Sequence, residues 1–478
     1  MDDIADLRTT IFTWITDDPD PADRDELYRL LDRLPESAAE LRDRFHEPHI
    51  LEGPLRAGPN GLNTATVRAY TTALLQRLQL DGPVLLAHDG SAATARLAET
   101  AGRVVTGSGR KALIISDPVA TPVLTHATRH TAAVCGIMFT ASDVGGERAR
   151  MTVIDGPDEA TLPSTTAQIG PLTEIPVGPE PDVAPDDLRE RYLESLVSLV
   201  DRFDPKIIPL VCDHPLLAEA LEEAGFGPVT HTDSDKLDEQ AESDGSRLIL
   251  RLSPEGTTCS VSYHDDEQWR DLSATDMGIL LADHWMRKGR RGTYIGDHGL
   301  IQALCETHGV EWRAVGDDGP AYRFTAGPDG REHCPAPDLV DHGDGIATAL
   351  VLTEIAAGMA AQFRTPVERL DELAEEHGVF VSNRQPLPAD NDADVYLRRL
   401  AKCERLLDEN VRAVAADDDH VSLSSASFTV RLYNSPRPHF RAEVKESSQP
   451  GLAVSRERAR ASVEALSTEV NGLLGIAY

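Results

Sequence analysis

Long apolar runs, paired cysteines and aromatic residues are all scarce in this sequence. No stretch of about 18 apolar residues occurs, so a transmembrane helix is not expected. The six cysteines include no CxxC pair and no zinc-type Cys/His spacing, which excludes a zinc ribbon and a disulfide scaffold. The N-terminus is acidic and lacks the basic and apolar regions of a signal peptide. We therefore expect reduced thiols and a cytoplasmic protein.

Positive charge is also scarce. Lys and Arg together number 46 against 80 Asp and Glu, which gives a formal net charge of −34. Such a surface repels phosphate backbones and anionic lipid, so we expect neither a nucleic-acid partner nor a membrane partner. Only six of the 46 basic residues are lysine. This bias fits either a GC-rich genome or a salt-loaded cytoplasm, and the sequence does not separate the two.

What the sequence does contain is an alternation of apolar strands and amphipathic helices. Strand patterns at 83–88, 111–116 and 135–140 alternate with helix patterns at 92–102 and 122–131. This alternation predicts a parallel sheet with crossover helices. It recurs in two further units, whereas the C-terminal unit has short alternating strands flanked by helices and is therefore α+β.

The chain length predicts several domains. At roughly 100–200 residues per domain, 478 residues correspond to three or four. Two stretches rich in Pro and Asp, 176–187 and 386–395, are interpreted as linkers. The predicted fold class is α/β, with three α/β domains of mixed or parallel sheets and a C-terminal α+β lid domain, bounded as 1–175, 185–273, 274–385 and 396–478.

Five segments, in order along nearly the whole chain, resemble the α-D-phosphohexomutase superfamily, in particular its phosphoglucomutase, phosphomannomutase and phosphopentomutase-like members. They are 17–26, 53–68, 121–143, 344–357 and 427–444. The resemblance implies four domains around a central cleft. It also implies a phosphoryl shift between C1 and C6 or C5 of a sugar phosphate, with a phosphoserine donor, a bisphosphate intermediate and Mg²⁺.

In the first domain, the resemblance places the phosphoserine at Ser142. This serine directly follows an apolar strand, and ligand sites of open α/β sheets lie beyond the carboxyl ends of strands. Asp143 comes next, where the family has His-Asn, and its carboxylate would repel a phosphoserine unless a cation intervened. A Ser-Asp turn before Gly145 remains the alternative interpretation.

In the second domain, residues 242–247 align with the family's Asp-x-Asp-x-Asp-Arg metal loop. Glu242 and Asp244 keep two carboxylates, Ser246 replaces the third, and Arg247 remains as a phosphate ligand. Because Mg²⁺ prefers hard oxygen ligands, the resemblance implies a weak Mg²⁺ site formed by these two carboxylates and the Ser142 phosphate. An acidic turn before the strand that follows is the alternative.

In the fourth domain, residues 431–437 align with the family's phosphate clamp. The predicted phosphate-binding residues are Arg431, Asn434, Ser435 and Arg437. A hairpin turn between two strands is the alternative interpretation.

Other family positions carry different residues in this chain. Glu52 and Ser91 align with two arginines of the first domain, and 324–333 lacks the paired acid and serine of the sugar-reading loop. A charge-assisted hydrogen bond to phosphate contributes roughly 1.5–3 kcal/mol, so these losses predict weak substrate binding. Two functions stay open: a divergent phospho-sugar mutase with weak or lost activity, and a catalytically silent homologue that serves as a binding or partner-interaction module in a homo- or hetero-oligomer.

Overall fold

The structure is a computed structural model of the chain. The predicted phosphoserine Ser142 and the predicted clamp residues Asn434, Ser435 and Arg437 lie outside the residues it describes. Those residues are 4–46, 52–78, 81–141, 147–155, 158–159, 172–201, 206–265, 267–296, 298–313, 322–326, 332–333, 343–388, 393–416, 420–433 and 438–476.

Three helices precede the first sheet and share a small core of leucine, isoleucine and other apolar side chains. The prolines of this segment start a helix instead of breaking one. Asp20 caps the second helix by accepting from the Ala22 amide, and Pro21 follows at a position where its missing N–H costs no hydrogen bond. The helices are α1 Ile4–Asp17, α2 Pro21–Asp32 and α3 Ala38–Arg44.

The first domain is built on a mixed sheet in the order β1-β5-β4-β2-β3-β7, with β6 on β5. Strands β4, β2, β3 and β7 are parallel, as their helical crossovers require, and β5 returns antiparallel to β4. Its elements are β1 Glu52–Pro54, α4 Thr64–Arg77, β2 Val84–His88, α5 Ala92–Gly107, β3 Ala112–Ile114, α6 Thr121–His130, β4 Cys135–Ala141, β5 Arg148–Asp155, β6 Asp158–Glu159 and β7 Asp182–Val183.

The second domain continues the α/β pattern. Strands β9, β8 and β10 are parallel, and β11 pairs antiparallel with β10. Its elements are α7 Leu188–Val197, β8 Lys206–Cys212, α8 Pro215–Glu223, β9 Phe226–His231, α9 Leu237–Asp244, β10 Leu248–Leu252, β11 Cys259–His264 and β12 Trp269–Asp271.

The third domain shares a sheet with the second. Strand β16 pairs with both β15 and β11, so that nine of the described strands form one continuous sheet. The elements of the third domain are α10 Ala274–Arg287, β13 Thr293–Gly296, α11 Gly299–His308, β14 Glu311–Arg313, β15 Tyr322–Ala326, β16 Glu332–His333, α12 Gly345–Ala360 and α13 Pro366–His377.

The fourth domain is an antiparallel sheet in the order β17-β23-β22-β21-β20, covered on one face by helices. Its first strand begins at residue 379, so the C-terminal sheet includes residues that the sequence pattern assigned to the third domain. Its elements are β17 Val379–Pro386, α14 Ala393–Ala401, β18 Arg405–Leu406, β19 Glu409–Asn410, β20 Arg412–Ala416, β21 His420–Ser424, β22 Phe428–Tyr433, β23 His439–Glu446 and α15 Leu452–Leu474.

The apolar core is divided between these domains in an uneven way. One continuous core runs through the first three, from Leu85 of β2 to Leu373 of α13. The fourth domain has a separate core, which lies between its sheet and the helices α14 and α15. The first three domains are therefore expected to behave as one body, and the fourth as an attached unit.

Candidate functional site

The carboxyl ends of the first and second sheets border a common cleft of about 280 Å³. Its lining comes from residues that follow strands: Asp89 after β2, His214 after β8 and Pro254 after β10, with Arg189 from α7. In open α/β sheets this edge is where ligands bind. The cleft is therefore the candidate functional site.

Asp89 anchors the end of the strand that leads to the predicted phosphoserine. Its carboxylate accepts hydrogen bonds from the Ala141 amide, from the Ser91 amide at 3.1 Å and from the Thr94 hydroxyl at 2.6 Å. Ala141 is the last residue of β4. Asp89 thus sets the direction in which the chain leaves β4, and its own charge is already satisfied by these donors.

Asp213 has the same task in the second domain. Its carboxylate accepts from the Leu252 amide at 3.0 Å and from the Ser234 hydroxyl at 2.8 Å. Because Leu252 ends β10, this contact ties together the carboxyl ends of two parallel strands. Both aspartates at the cleft edge therefore hold backbone in place.

His214 follows Asp213 and begins α8. Burial lowers the pKa of its imidazole, although the nearby Asp213 raises it in part, so the ring is neutral at pH 7. Its Nδ1 is buried and has no hydrogen-bond partner among the described residues. His214 is therefore a neutral, partly buried side chain in the wall of the cleft.

The loop 253–258, between β10 and β11, joins all three α/β domains. Its Glu255 carbonyl accepts from the Thr121 amide of the first domain, and its Gly256 carbonyl accepts from the Gly345 amide of the third, both at 3.0 Å. Gly256 has a φ of +74°, and a Cβ there would lie 3.0 Å from the Ala120 side chain. The loop reads Ser-Pro-Glu-Gly-Thr-Thr, and Glu255 is its only ionisable residue.

A buried hydrogen-bonded pair fixes the helix start to which this loop is hydrogen-bonded. Tyr192 of α7 donates its hydroxyl to the Asp344 carboxylate at 2.9 Å, and both residues are fully buried. Asp344 also caps α12 by accepting from the Ala347 amide at 2.8 Å. Burial raises the pKa of Asp344 to about 7. The pair fixes the start of α12, and with it the Gly345 amide that holds the loop.

The two predicted carboxylate ligands of the metal are not part of the cleft. Glu242 and Asp244 are exposed residues in the last turn of α9. The Asp244 oxygens accept from the Thr230 hydroxyl at 2.7 Å and the Gln240 amide at 2.8 Å, and these bonds lower the pKa of Asp244. From there β10 carries the chain roughly 16 Å further before it reaches the cleft loop.

The described residues do not fit the Mg²⁺ site that the sequence predicts. Within those ranges, no group of three or more His, Cys, Asp or Glu side chains converges in a way that would hold a metal ion. The Asp244 oxygens are already engaged, and the predicted third ligand, Ser142, lies outside the described residues. Arg247, half-buried just before β10, donates its backbone amide to the Pro209 carbonyl.

Glu52 and Ser91 occupy the two first-domain positions where the family has arginine, and each makes a local structural contact. Glu52 forms an ion pair with Arg150 at 2.8 Å across the antiparallel pair β1 and β5, so its charge is compensated. Ser91 caps α5 by accepting from the Thr94 amide at 3.1 Å. Arg56, whose guanidinium pairs with Asp43 at 2.6 Å, is a residue that the sequence pattern did not single out.

Arg431 lies in the fourth domain, on the face of its sheet away from α15. It is buried, and its guanidinium Nη1 lies 3.8 Å from Oε2 of Glu443 on the neighbouring strand. The sequence alternation explains this face: Val430 and Leu432 pack in the core, while Arg431 points the other way. Arg431 is the predicted clamp residue that the structure describes, and it lies at the contact with the third domain.

Comparison with known proteins shows what this arrangement is similar to. Residues 52–174 match the family model described as phosphoglucomutase/phosphomannomutase, alpha/beta/alpha domain I. A probable phosphomannomutase of Haemophilus influenzae is 20% identical over 381 residues, which are 68% of this chain and 78% of that protein.

Solved structures of the same kind share the fold. A putative phosphomannomutase from Thermus thermophilus superposes with a TM-score of 0.62 at 19% identity, covering 86% of this chain and 94% of the other. A phosphoglucomutase/phosphomannomutase family protein from Burkholderia thailandensis gives 0.65 at 14% identity, covering 91% and 98%. The resemblance to the α-D-phosphohexomutase superfamily is confirmed, and the chain is a phosphohexomutase-like protein. No helix in the described part of the chain is both long and apolar enough to cross a membrane.

Proposed function

We propose that this phosphohexomutase-like chain is a divergent phospho-sugar mutase that keeps a sugar-phosphate cleft but transfers the phosphoryl group weakly or not at all. The proposal rests on the hydrogen bonds that the carboxylates at the cleft edge already accept. Asp89 and Asp213 accept hydrogen bonds from backbone amides, and the loop 253–258 offers only Glu255 as a further carboxylate. Within the described part of the cleft, few carboxylates are left to hold a metal ion.

The substrate class follows from the relatives. They are described as phosphomannomutases and phosphoglucomutase/phosphomannomutase family proteins, and the fold they share with this chain covers most of its length. We therefore propose a hexose phosphate as the ligand of the cleft.

Charge in the cleft explains why transfer should be weak. Phosphoryl transfer depends on positioning and on neutralising the charge of the moving group. Arg189 is the cation that lines the cleft, and its guanidinium is already shared with Glu219 at 3.1 Å. Among the described lining residues a sugar phosphate would meet one partly neutralised arginine, which is enough for modest binding and too little for fast transfer.

Magnesium is the cofactor that the family resemblance implies, and a thermal-shift experiment decides where it acts. Anything that binds only the native state raises the melting temperature by mass action. If the acidic end of α9 binds Mg²⁺, Asp244→Asn abolishes the shift. If the cleft loop binds it, Glu255→Gln abolishes the shift and Asp244→Asn does not.

Catalysis is tested by intact mass and turnover. The chain is incubated with glucose 1,6-bisphosphate, and a gain of one phosphate that Ser142→Ala removes would identify the serine as carrier. Turnover of glucose 1-phosphate, mannose 1-phosphate and ribose 1-phosphate is then measured at low and at molar salt, because salt screens long-range repulsion from the −34 charge. We expect weak or undetectable turnover with measurable sugar-phosphate binding.

Two results would change this proposal. Robust turnover that depends on Ser142 would make the chain an ordinary mutase. Absence of both turnover and sugar-phosphate binding would leave the alternative, a silent homologue that serves as a binding or partner-interaction module, and size-exclusion chromatography would then test for a homo- or hetero-oligomer. A cytoplasmic location is part of the proposal and is consistent with the free cysteines at Cys135, Cys212, Cys259, Cys305 and Cys403.

A further inference from the structure

The densest cluster of positive charge in this acidic chain lies at the end of α10. Four of the five residues 287–291 are basic. Two of them, Arg287 and Lys288, line a cavity of about 380 Å³ together with residues from the end of α12 and the start of α13. The wall of this cavity therefore contains cations, although the chain as a whole has a net charge of −34.

The cavity lies at the edge of the sheet opposite to the cleft. The helix α12 begins at Gly345, whose amide is hydrogen-bonded to the cleft loop, and its last turns reach the cavity at Gly358. At 1.5 Å per residue, these two positions are roughly 20 Å apart along the helix. Asp201, another lining residue, comes before β8, whereas the cleft residues follow their strands. The cavity is therefore separate from the proposed sugar-phosphate cleft.

Two buried carboxylates hold cations of the cavity wall in place. The Glu354 side chain is 3% exposed and accepts from Lys288 Nζ at 2.7 Å, and His284 Nε2 lies 2.9 Å from the same oxygen. The Asp283 side chain is 4% exposed and accepts from Arg369 Nε at 2.9 Å and Nη2 at 2.7 Å. These ion pairs fix the cations before a ligand arrives, so binding costs less conformational entropy.

Two further arginines of the wall keep donors for a ligand. The Arg287 side chain is 59% exposed, and its carboxylate partner among the described residues is Asp283, at 3.7 Å. The Arg364 side chain is 33% exposed and gives its Nη2 to Glu372. A guanidinium has five N–H donors, and the described residues use few of those on these two arginines.

The balance of charge in the lining favours an anion. Asp201 is the exposed carboxylate of the wall, and it is already paired with Lys288 at 3.1 Å. The other two carboxylates of the wall are buried beneath their cations. The described lining has four cations against three carboxylates: Arg287, Lys288, Arg364 and Arg369 against Asp201, Asp283 and Glu354.

Gly358 keeps one wall of the cavity open. It lies inside α12, where glycine is less favourable than alanine. A Cβ built on it would meet no atom within 4 Å, so packing does not require a glycine there. Apolar side chains lie around it in the lining, from Leu280, Ile355 and Met359. An apolar wall with a few charged groups is typical of sites for small molecules.

We propose that this cavity binds a small organic anion, whose phosphate or carboxylate group contacts Arg287 and Arg364 and whose apolar body lies against Gly358 and Met359. Guanidinium groups match phosphate and carboxylate with the same planar fork of donors, so the two anions share one recognition chemistry. The site concerns this cavity alone and does not depend on phosphoryl transfer in the cleft.

Hydrogen exchange on the full chain tests the site with three probes: phenyl phosphate, benzoate and inorganic phosphate. At millimolar concentration, the two probes with a ring should slow exchange of the backbone amides in the last turns of α10 and α12. Inorganic phosphate should slow it less, because it has no apolar body. The stronger of the two ring-bearing probes identifies the anionic group that the cavity prefers. Slower exchange confined to the loop 253–258 would place the probes in the cleft and overturn the proposal.

A glycine variant tests the cavity without changing its charge. Gly358→Leu fills the space beside α12 and should abolish the effect of the probes on the two helix ends. Gly472→Leu is the matched control, because Gly472 also lies inside a helix, α15, and has no atom within 4 Å of its Cβ. It is not a lining residue of this cavity, so the control should bind the probes as the wild type does.

An arginine variant tests the charge. Arg287→Gln should weaken binding of the preferred probe about ten- to hundredfold, as expected for loss of a charge-assisted hydrogen bond. Arg291→Gln makes the same change of charge in the same basic segment but outside the lining, and should leave the affinity unchanged. Because Arg287 is exposed, this comparison decides the question even if Gly358→Leu does not fold.

Three results would overturn the site. The first is an absence of slower exchange at the ends of α10 and α12 with both ring-bearing probes. The second is retained binding in folded Gly358→Leu. The third is an equal loss of affinity in Arg287→Gln and Arg291→Gln, because binding would then follow the charge of the whole segment and not contacts within the cavity.

Discussion

The junction of the first three domains and the contact of the fourth domain are built in different ways. At the junction, one apolar core crosses the domain boundaries and buried hydrogen bonds such as Tyr192 to Asp344 close it. At the fourth domain, the main core is separate, and the contact with the third domain combines the Phe380 ring, packed against the larger core, with polar groups around Glu443. Apolar packing fixes one arrangement, whereas a polar contact between separate cores is strong only while every partner is present.

This difference separates the roles of the two regions. The cleft between the first and second domains has rigid walls, because its carboxylates Asp89 and Asp213 hold strand ends. The fourth domain carries its buried cation Arg431 at the contact with the third domain. The geometry of the cleft is therefore set by the strand ends at the junction.

The largest expected effect is the loss of the buried carboxylate at the junction. Asp344→Ala removes the cap of α12 and leaves the Tyr192 hydroxyl unpaired, so it should lower the free energy of unfolding by about 3–5 kcal/mol. Urea denaturation measures this, with Tyr192→Phe as the control that removes one hydroxyl and should cost about 1–2 kcal/mol. If the unfolding transition of the fourth domain shifted as far as that of the first three domains, the two regions would not differ in how they depend on Asp344.

The same carboxylate should make the junction sensitive to pH. Burial raises the pKa of Asp344 from 3.8 to about 7, so the native state holds a proton that the unfolded state releases. Its contribution is complete below pH 3.8 and is lost as the pH rises through about 7. Relative to Asp344→Asn, the wild-type chain should be about 2–3 kcal/mol more stable at pH 5 than at pH 8. A pH-independent difference would mean that the carboxylate is ionised in the native state.

A smaller effect should follow at the cleft edge. Asp213→Ala leaves the Leu252 amide without its acceptor and should lower the free energy of unfolding by about 1–3 kcal/mol. Thermal denaturation measures this, with the exposed Asp235→Ala as a control that should stay within about 0.5 kcal/mol of wild type. If both variants melt alike, Asp213 does not hold the strand ends and the cleft wall is less rigid than the junction.

The smallest effect is a gain in stability. Phe363, just beyond the end of α12, is 98% exposed and has a φ of +55°, a conformation that glycine adopts without strain. Phe363→Gly should raise the free energy of unfolding by up to about 1 kcal/mol. The gain should appear in the junction transition alone, because α12 packs in that core. A loss of stability would show that the ring makes a contact in the native ensemble.

Local sequence patterns were enough to predict most of the helices and strands near the cleft. The predicted strand at 135–140 and the predicted helix at 122–131 lie within one residue of β4 and α6. Both succeed because an apolar run and a proline at a helix start are decided by neighbours in the chain. The family resemblance added the topology and is confirmed.

The position of the functional site was harder to predict from the sequence, because it depends on whether a loop lies at the amino or the carboxyl end of its strand. The acidic residues Glu242 and Asp244 stand before β10, whereas the loop 253–258 stands after it and meets the other domains. A single strand separates the two in the sequence, and nothing local marks which end faces the cleft. The turn signal Pro-Glu-Gly between two strand patterns was the clue available for the loop. Ser142, Asn434, Ser435 and Arg437 stay predictions.

By itself, the sequence determined the α/β alternation, the α+β C-terminal unit and the acidic surface, since each depends on composition or on short-range periodicity, and its segments carried the family resemblance. Tertiary structure alone decided that β17 joins the fourth sheet, that Asp344 is buried against Tyr192, and that Glu443 reaches α11. These contacts join residues that are far apart in the chain. Their energy depends on burial and distance in three dimensions, and no local pattern of residues records either quantity.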